Sequence, residues 1–349
     1  MDMAIDELFA VAAPAQVDAI ARSKTSLLAS DNGVDGESAA LLAVSFSALE
    51  GNEWGGGVML LDASSSSEPK RLWSRSYATG IASLAWGGSD DELLVMGCDN
   101  GDVLLQRLVR DSGELTLQAV APIEGASENV VGGHDHIVSA VSVSAIDRSL
   151  AASASWDRTV KLWDLAAIET PQQALEAHSD LIWDVAMSPL TPSIVASASQ
   201  DCTVQLWDTR LEDAATAPTL ATPHAALSLD WHPTQSHVLS VGLEDGSVLT
   251  FDTRSPSQPL FHETVHDGAV HRLRYSPSHE DVLASGGDDT QVVILSNTSS
   301  SSSSKAVTQR LRHHRDYVRA LAWLPSTGSA RIATGAWDKT VGVAQLGEL

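Results

Sequence analysis

Basic residues are scarce in this sequence. Lys and Arg number 21 against 45 Asp and Glu, a net charge of −24 over 349 residues. A field of that sign repels phosphate backbones and anionic lipid and attracts basic proteins, so neither nucleic acid nor membrane is expected as a partner. Cysteine is nearly absent. Cys98 and Cys202 stand alone, without metal-ligand spacing or a disulfide framework, which points to a reducing compartment, cytoplasmic and nuclear. No run approaches the roughly 18 apolar residues of a membrane span. The opening stretch MDMAIDELFAVAAPA carries Asp2, Asp6 and Glu7 where a secretory signal begins with basic residues. Phe and Tyr are rare, four and three, yet there are ten Trp. A residue type so dominant in its class suggests that one local context recurs.

The recurrence is visible. ASASWDRTVKLWD from Ala152, ASASQDCTVQLWD from Ala196 and ASGGDDTQVVILS from Ala284 align on an Asp before an apolar strand. The series Asp157, Asp201, Asp245, Asp289, Asp338 has intervals of 44 residues and a last one of 49. Upstream of each stands a His: His134, His178, His224, His266 and His314. Between His and Asp runs a short alternating apolar segment closed by a turn, as in LSLDWHPTQ from Leu227. Such a period with Trp-Asp pairs marks a blade of four strands. Weaker units end at Asp62 and carry Asp99 in the turn position, giving seven. The expected fold is all-β, a seven-bladed WD-repeat β-propeller over 16–349, after a flexible segment 1–15. Its blades fall at about 16–62, 77–119, 134–177, 178–222, 224–264, 266–311 and 314–349. The sequence stops after the third strand of the last unit, VGVAQL, so an N-terminal strand must close the ring; QVDAIA, Gln16 to Ala21, is the expected donor. The serine runs 64–67 and 299–304 read as turns into outer strands.

Each clear unit holds a His, a hydroxyl and an Asp: His134, Ser153 and Asp157 with Trp163, then His178, Ser197 and Asp201 with Trp207. A hydrolase needs one such triad beside one oxyanion hole. Repetition every 44 residues makes these sets internal ties, in which hydroxyl and carboxylate satisfy the His and Trp donors. The set decays along the chain. Val241 and Phe251 stand in the fifth unit for hydroxyl and Trp, Leu295 replaces Trp in the sixth beside Ser285 and Asp289, and Ala344 replaces it in the seventh beside Thr334 and Asp338. No catalytic residue is expected, and no cofactor, since no Gly-rich phosphate loop opens a helix. The pairs His134/His136 and His313/His314 lack a third metal ligand. Partner binding is expected instead at Trp54, with Asn52, Glu53 and Gly55, in the turn GNEWGGG; Trp156 and Trp337, each before a turn Asp, are secondary candidates.

Several stretches resemble the methylosome WD-repeat family: HDHIVSAVSV from His134, WDVAMSPLTPSIVASASQDCTVQLWDTR from Trp183, SLDWHPTQSHVLSVGLEDGSVLTFDTR from Ser228 and HRDYVRALAWLP from His314. The resemblance implies a non-catalytic scaffold subunit. It would bind the N-terminal barrel of the protein arginine methyltransferase that makes symmetric dimethylarginine, in a hetero-oligomer, and help present Arg-rich tails of Sm proteins and histones. A rival reading is a substrate receptor of a cullin-type ubiquitin ligase, because LWDTR ending at Arg210 and FDTR ending at Arg254 resemble its Trp-Asp-x-Arg box. A propeller hydrolase would need one unit that breaks the common polar pattern toward the channel, and none does.

Overall fold

The computed structural model describes residues 7–23, 40–50, 53–64, 68–120, 133–168, 170–176, 178–211, 218–297, 305–326 and 329–347. These form seven four-stranded antiparallel sheets and no helix. Strand β1 (Glu7–Ala12) stands apart from its neighbours in sequence. Blade 1 is β2 (Gln16–Ser23), β3 (Leu41–Glu50), β4 (Glu53–Asp62) and β5 (Lys70–Tyr77). Blade 2 is β6 (Ile81–Gly87), β7 (Leu93–Cys98), β8 (Val103–Asp111) and β9 (Glu114–Ala119). Blade 3 is β10 (Val138–Val143), β11 (Leu150–Ser155), β12 (Thr159–Asp164) and β13 (Gln173–Glu176). Blade 4 is β14 (Ile182–Met187), β15 (Ile194–Ser199), β16 (Thr203–Asp208) and β17 (Thr219–Ala221). Blade 5 is β18 (Ala226–Trp231), β19 (Val238–Leu243), β20 (Ser247–Asp252) and β21 (Phe261–Thr264). Blade 6 is β22 (Val270–Tyr275), β23 (Leu283–Gly287), β24 (Val292–Asn297) and β25 (Lys305–Leu311). Blade 7 is β26 (Val318–Leu324), β27 (Arg331–Ala336), β28 (Thr340–Gln345) and, outermost, β1.

The first strands contact one another around the ring, from β2 through β6, β10, β14, β18, β22 and β26 back to β2, so they line a central channel. The second strand of each blade is pressed between neighbouring sheets. In β11 (LAASAS) and β15 (IVASAS) every residue after the first is buried, and the small Ala and Ser side chains let the sheets approach face to face. Fourth strands are the most exposed, and β17 alternates exposed, buried, exposed. Hydrophobic clusters accordingly sit between blades. One joins Val17, Ile20 and Leu42 of blade 1 to Ala320, Ala333 and Val341 of blade 7, with Val11 packed against it.

Ring closure differs from the sequence-based expectation in one respect. An N-terminal strand does close the ring, but it is β1, within the segment expected to be flexible. β1 pairs with β28 from Glu7↔Gln345 to Ala12↔Thr340, and Ala13 N–H continues the ladder to the Lys339 carbonyl at 2.8 Å. Gln16 to Ala21 belongs instead to β2, the innermost strand of blade 1, pairing with β3. β1 (ELFAVA) has five apolar residues in a row and shows no alternation, whereas QVDAIA opens polar, apolar, polar, apolar, so pattern points to the wrong segment; the blade needs an inner strand before its second, and only β2 stands in that place. Ser299–Ser304 and Ser65–Ser67 lie outside the described residues, in the connections from β24 to β25 and from β4 to β5.

Deleting residues 1–12 should strip β28 of its outer partner and lower Tm by on the order of 5–10 °C, with association through the bared edge. Thermal melts of the two forms check this, and a Tm within about 2 °C of full length would show that β1 does not hold the ring.

Candidate binding face and central channel

The repeated polar sets assemble in blades 3 and 4. Trp163 Nε1–H donates to Ser153 Oγ at 2.8 Å, His134 Nε2 lies 2.7 Å from the same oxygen, and His134 Nδ1 lies 2.9 Å from Asp157. Blade 4 repeats this with Trp207, Ser197, His178 and Asp201 at 2.9, 2.8 and 3.0 Å. One proton arrangement satisfies every member: Ser O–H donates to Nε2, and a neutral imidazole donates Nδ1–H to the carboxylate. Burial works to raise the Asp157 carboxyl, but hydrogen bonds from His134 and Thr159 outweigh it and hold it well below the ordinary range. Burial lowers His178 despite Asp201 beside it. A base so oriented is spent on structure, its hydroxyl already accepting from Trp.

Where Trp is lost, other groups take its place. Ser285 in blade 6 keeps His266 at 2.8 Å and turns toward the Val293 carbonyl. In blade 7 Thr334 receives two imidazoles, His314 Nε2 and His313 Nε2, each at 2.8 Å; His313 fills the position opened by Ala344. Blade 5 has no such set. His224 is 53% exposed and 3.5 Å from Asp245, as the loss of the hydroxyl at Val241 predicts. In blade 2 the turn is offset by one from the sequence alignment. Gly101 N–H bonds the Cys98 carbonyl as Arg158 N–H bonds that of Ser155, so Asn100 holds the position of Asp157, and Asp99 that of Trp156. Arg158, Cys202, Thr290 and Lys339 all have φ between 63° and 71° at the next position, where Gly101 and Gly246 serve in blades 2 and 5.

A second set of ties, not read from the sequence, joins blade to blade. Trp86, Trp231 and Trp323 end or nearly end the first strands of blades 2, 5 and 7. Each indole donates to a first-strand carbonyl of the preceding blade, Ala21, Ala186 and Arg274, at 3.0, 3.1 and 2.9 Å. Tyr275 uses its hydroxyl on Ser240 at 2.7 Å in the same sense. These positions recur as strictly as the tetrads, and aligning the strand preceding each Pro turn would have exposed them.

All seven first strands break register at the same place, next to Val17, Ile81, Val138, Ile182, Ala226, Val270 and Val318. A bulge re-aims the extra residue. The seven extra residues are Asp18, Ala82, Ser139, Trp183, Leu227, His271 and Arg319, and all seven line one cavity of about 630 Å³ at the channel mouth. Trp156, Trp337 and Asp99, from the turns between second and third strands, complete its wall with Arg272. Trp156 meets Trp183 edge-on at 5.1 Å, and Trp337 Nε1–H donates to Asp18 at 3.1 Å. Burial raises Asp18 to about 6, opposed by Ser47, Arg319 and Trp337. The secondary candidates Trp156 and Trp337 therefore face the channel mouth.

The β3–β4 hairpin makes the same second-to-third connection in blade 1, on the same face. Its strands pair as far as Leu49↔Trp54 and Glu50↔Glu53, so Glu53, Trp54 and Gly55 begin β4 instead of lying in the turn. Asn52 lies outside the described residues. Arg210 and Arg254 follow the third strands of blades 4 and 5. Both are largely exposed, and both fold back on their own turn carboxylates, Asp208 and Asp252. Among the described residues no three His, Cys, Asp or Glu side chains gather as a metal site. His136 lies tilted against Trp156 at 5.6 Å, and His313 and His314 both serve Thr334.

The family model of the WD domain, G-beta repeat, matches residues 125–164, 169–208 and 305–343. The chain is a seven-bladed propeller that carries WD repeats. The propeller is 31% identical over 109 residues to the small ribosomal subunit protein RACK1 of Schizosaccharomyces pombe, covering 30% of this chain and 32% of that one. It is 36% identical over 148 residues to the ribosome biogenesis protein WDR12 homolog of Nematostella vectensis, covering 42% and 34%. A 41-residue stretch is 58% identical to the RACK1 protein of Candida albicans, 12% of this chain and 13% of that one. The matches thus span about a third or less of these relatives' lengths.

Ser197→Ala should leave His178 and Trp207 without their shared partner and cost about 2–4 kcal/mol, whereas His224→Ala should cost less than about 0.5 kcal/mol. Denaturant titration of both variants checks the contrast. Acid sensitivity has a separate source. Burial and neighbouring His314 hold His313 at about 4 in the fold, against 6.5 for a free imidazole. The unfolded chain binds that proton first, so this contribution is complete above pH 6.5 and is lost as pH falls toward 4. Asp18 and Asp230, raised to about 6 by burial, act oppositely, losing stability as pH rises from 3.8. Hence the readout is a difference: His313→Gln should flatten the fall in Tm between pH 6.5 and 4 relative to the parent, and identical slopes would remove His313 as a source.

Proposed function

We propose that this propeller is a non-catalytic, protein-binding subunit of a protein arginine methyltransferase complex, acting in the cytoplasm and nucleus. The observation that carries the protein-binding part is the economy of the repeated polar groups. The complete His, Ser and Asp sets are closed on one another, so what faces outward from the fold is surface for partners. The methyltransferase part rests on the sequence stretches from His134, Trp183, Ser228 and His314, and on the net charge of −24, which draws Arg-rich tails of Sm proteins and histones. The ribosomal names belong to the relatives. Their matches follow the shared repeat and reach only a third of their lengths.

The methyltransferase is expected on the blade 1 hairpin, with Trp54 as the anchor and Asn52, Glu53 and Gly55 around it. The ubiquitin-ligase reading is less well supported, because the guanidiniums of Arg210 and Arg254 are already engaged by Asp208 and Asp252.

Trp54→Ala should weaken co-purification with the symmetric-dimethylating methyltransferase at least tenfold, the effect of about 2 kcal/mol lost from an interface hot spot. Binding of an Arg- and Gly-rich tail peptide should weaken as salt rises from about 50 to 200 mM. Unchanged capture by the variant would take Trp54 out of the interface, and salt-independent tail binding would remove the electrostatic part of the reading.

A further inference from the structure

The repeat dictates the tetrads and the strand ends, but the bulge residues around the channel do not repeat. Of the seven, no two are the same residue type, so at the mouth each blade contributes its own chemistry. Its donors outnumber the acceptors free to meet them. Trp156 Nε1 is buried without a hydrogen-bond acceptor. Arg319 rests on the Trp337 ring at 5.0 Å, and no described residue accepts a hydrogen bond from its guanidinium. Arg272, only 11% exposed, spends Nε–H on the Arg319 carbonyl at 3.0 Å and keeps Nη1 3.9 Å from Asp184. Two of the carboxylates nearby are already engaged, while Asp99 in the wall and Asp288, beside His271 and electrostatically coupled to Arg319, stand as the cavity's own counter-charges. Asp184 accepts the N–H groups of Val185 and Leu229, and Asp18 those of Ser47 O–H and Trp337 Nε1–H. Two adjacent buried cations carry a desolvation cost that carboxylates without a hydrogen bond to either guanidinium offset only in part.

We infer that the channel mouth binds a carboxylate carried by a partner polypeptide, its oxygens accepting from Arg319, Arg272 and the Trp156 indole. A cation would meet two guanidiniums. A neutral side chain would leave them as they are. A phosphate dianion would meet Asp18 and Asp99 with about twice the repulsion a carboxylate feels. The planar monoanion matches the guanidinium fork, and Trp183 and Trp337 supply apolar walls for the stem that bears it. The overall charge of −24 keeps free anions away, so the carboxylate must arrive on a segment whose other contacts hold it to the face. This site is independent of the basic tails proposed above, which require no cavity.

The test uses the full chain with 15N-labelled tryptophan, whose ten indole signals report separately. N-acetylglycine presents a terminal carboxylate and N-acetylglutamate methylamide a side-chain carboxylate. Inorganic phosphate and N-acetylarginine methylamide are the competing chemistries. The Trp156 signal, identified by Trp156→Phe, should move saturably with a carboxylate at millimolar concentration, as expected of a fragment of this size, while Trp163 and Trp207 stay fixed. The carboxylate that binds more tightly names the source. Arg319→Gln should weaken binding at least tenfold, and Arg272→Gln is the second variant should the first fail to fold. No saturable shift with either carboxylate, or tighter binding of phosphate or the arginine amide, would overturn the assignment.

Discussion

Everything in this molecule depends on the ring being shut. Seven sheets can pack face to face only if the seventh meets the first, and each inter-blade cluster is half made by a neighbour. The closing contact is a ladder between chain segments from opposite ends, β1 on β28, with Val11 covering the seam between blades 7 and 1. Without it, the sheet that completes the core of blade 1 would have an open edge and three strands. Closure is also what permits the second strands of blades 3 and 4 to be made largely of Ala and Ser. Such residues bury little area each, and they contribute only because two sheets are held against them at once.

Given a closed ring, the polar chemistry divides by depth. The tetrads bind turns to their own blades, and the indoles of Trp86, Trp231 and Trp323 bind blades 2, 5 and 7 to the ones before them. Both devices use a buried donor on a buried acceptor, where a missing partner costs the full desolvation of the other. This is why the set drifts by replacement: His313 enters where Trp is absent, and blade 5, lacking the hydroxyl, releases His224 to solvent. At the channel mouth the constraint ends. A bulge there turns one side chain per blade out of the ladder, and its identity is set by its neighbours at the mouth instead of by the repeat.

Much of the architecture was legible because it is periodic. The count of seven, the tetrads of blades 3 and 4 and the weakness of blade 5 all follow from residues that recur at a constant spacing. The errors came where the period is broken or a single residue decides. Asp99 was aligned one place off because CDNGD offers two candidates, and only the Gly101 hydrogen bond to Cys98 distinguishes them. Trp54 was placed in a turn because three glycines follow it, yet those glycines extend a strand: Gly56 pairs with Tyr77 and Gly57 with Ser76. The inter-blade indoles and the bulge ring were present in the same alignment but carried no motif to mark them.

The sequence by itself determined the repeat, and with it the blade, the number of blades and the need for a strand from the N-terminus. Those are matters of period and composition, which a linear chain displays. Only the tertiary structure decided which N-terminal strand closes the ring, since two apolar-rich segments compete for the place and the neighbour each can reach decides between them. It alone decided that Asp18, Trp183, His271 and Arg319, from four blades scattered along the chain, surround one cavity. A bulge has no signature in composition; it exists where two ladders fall out of step.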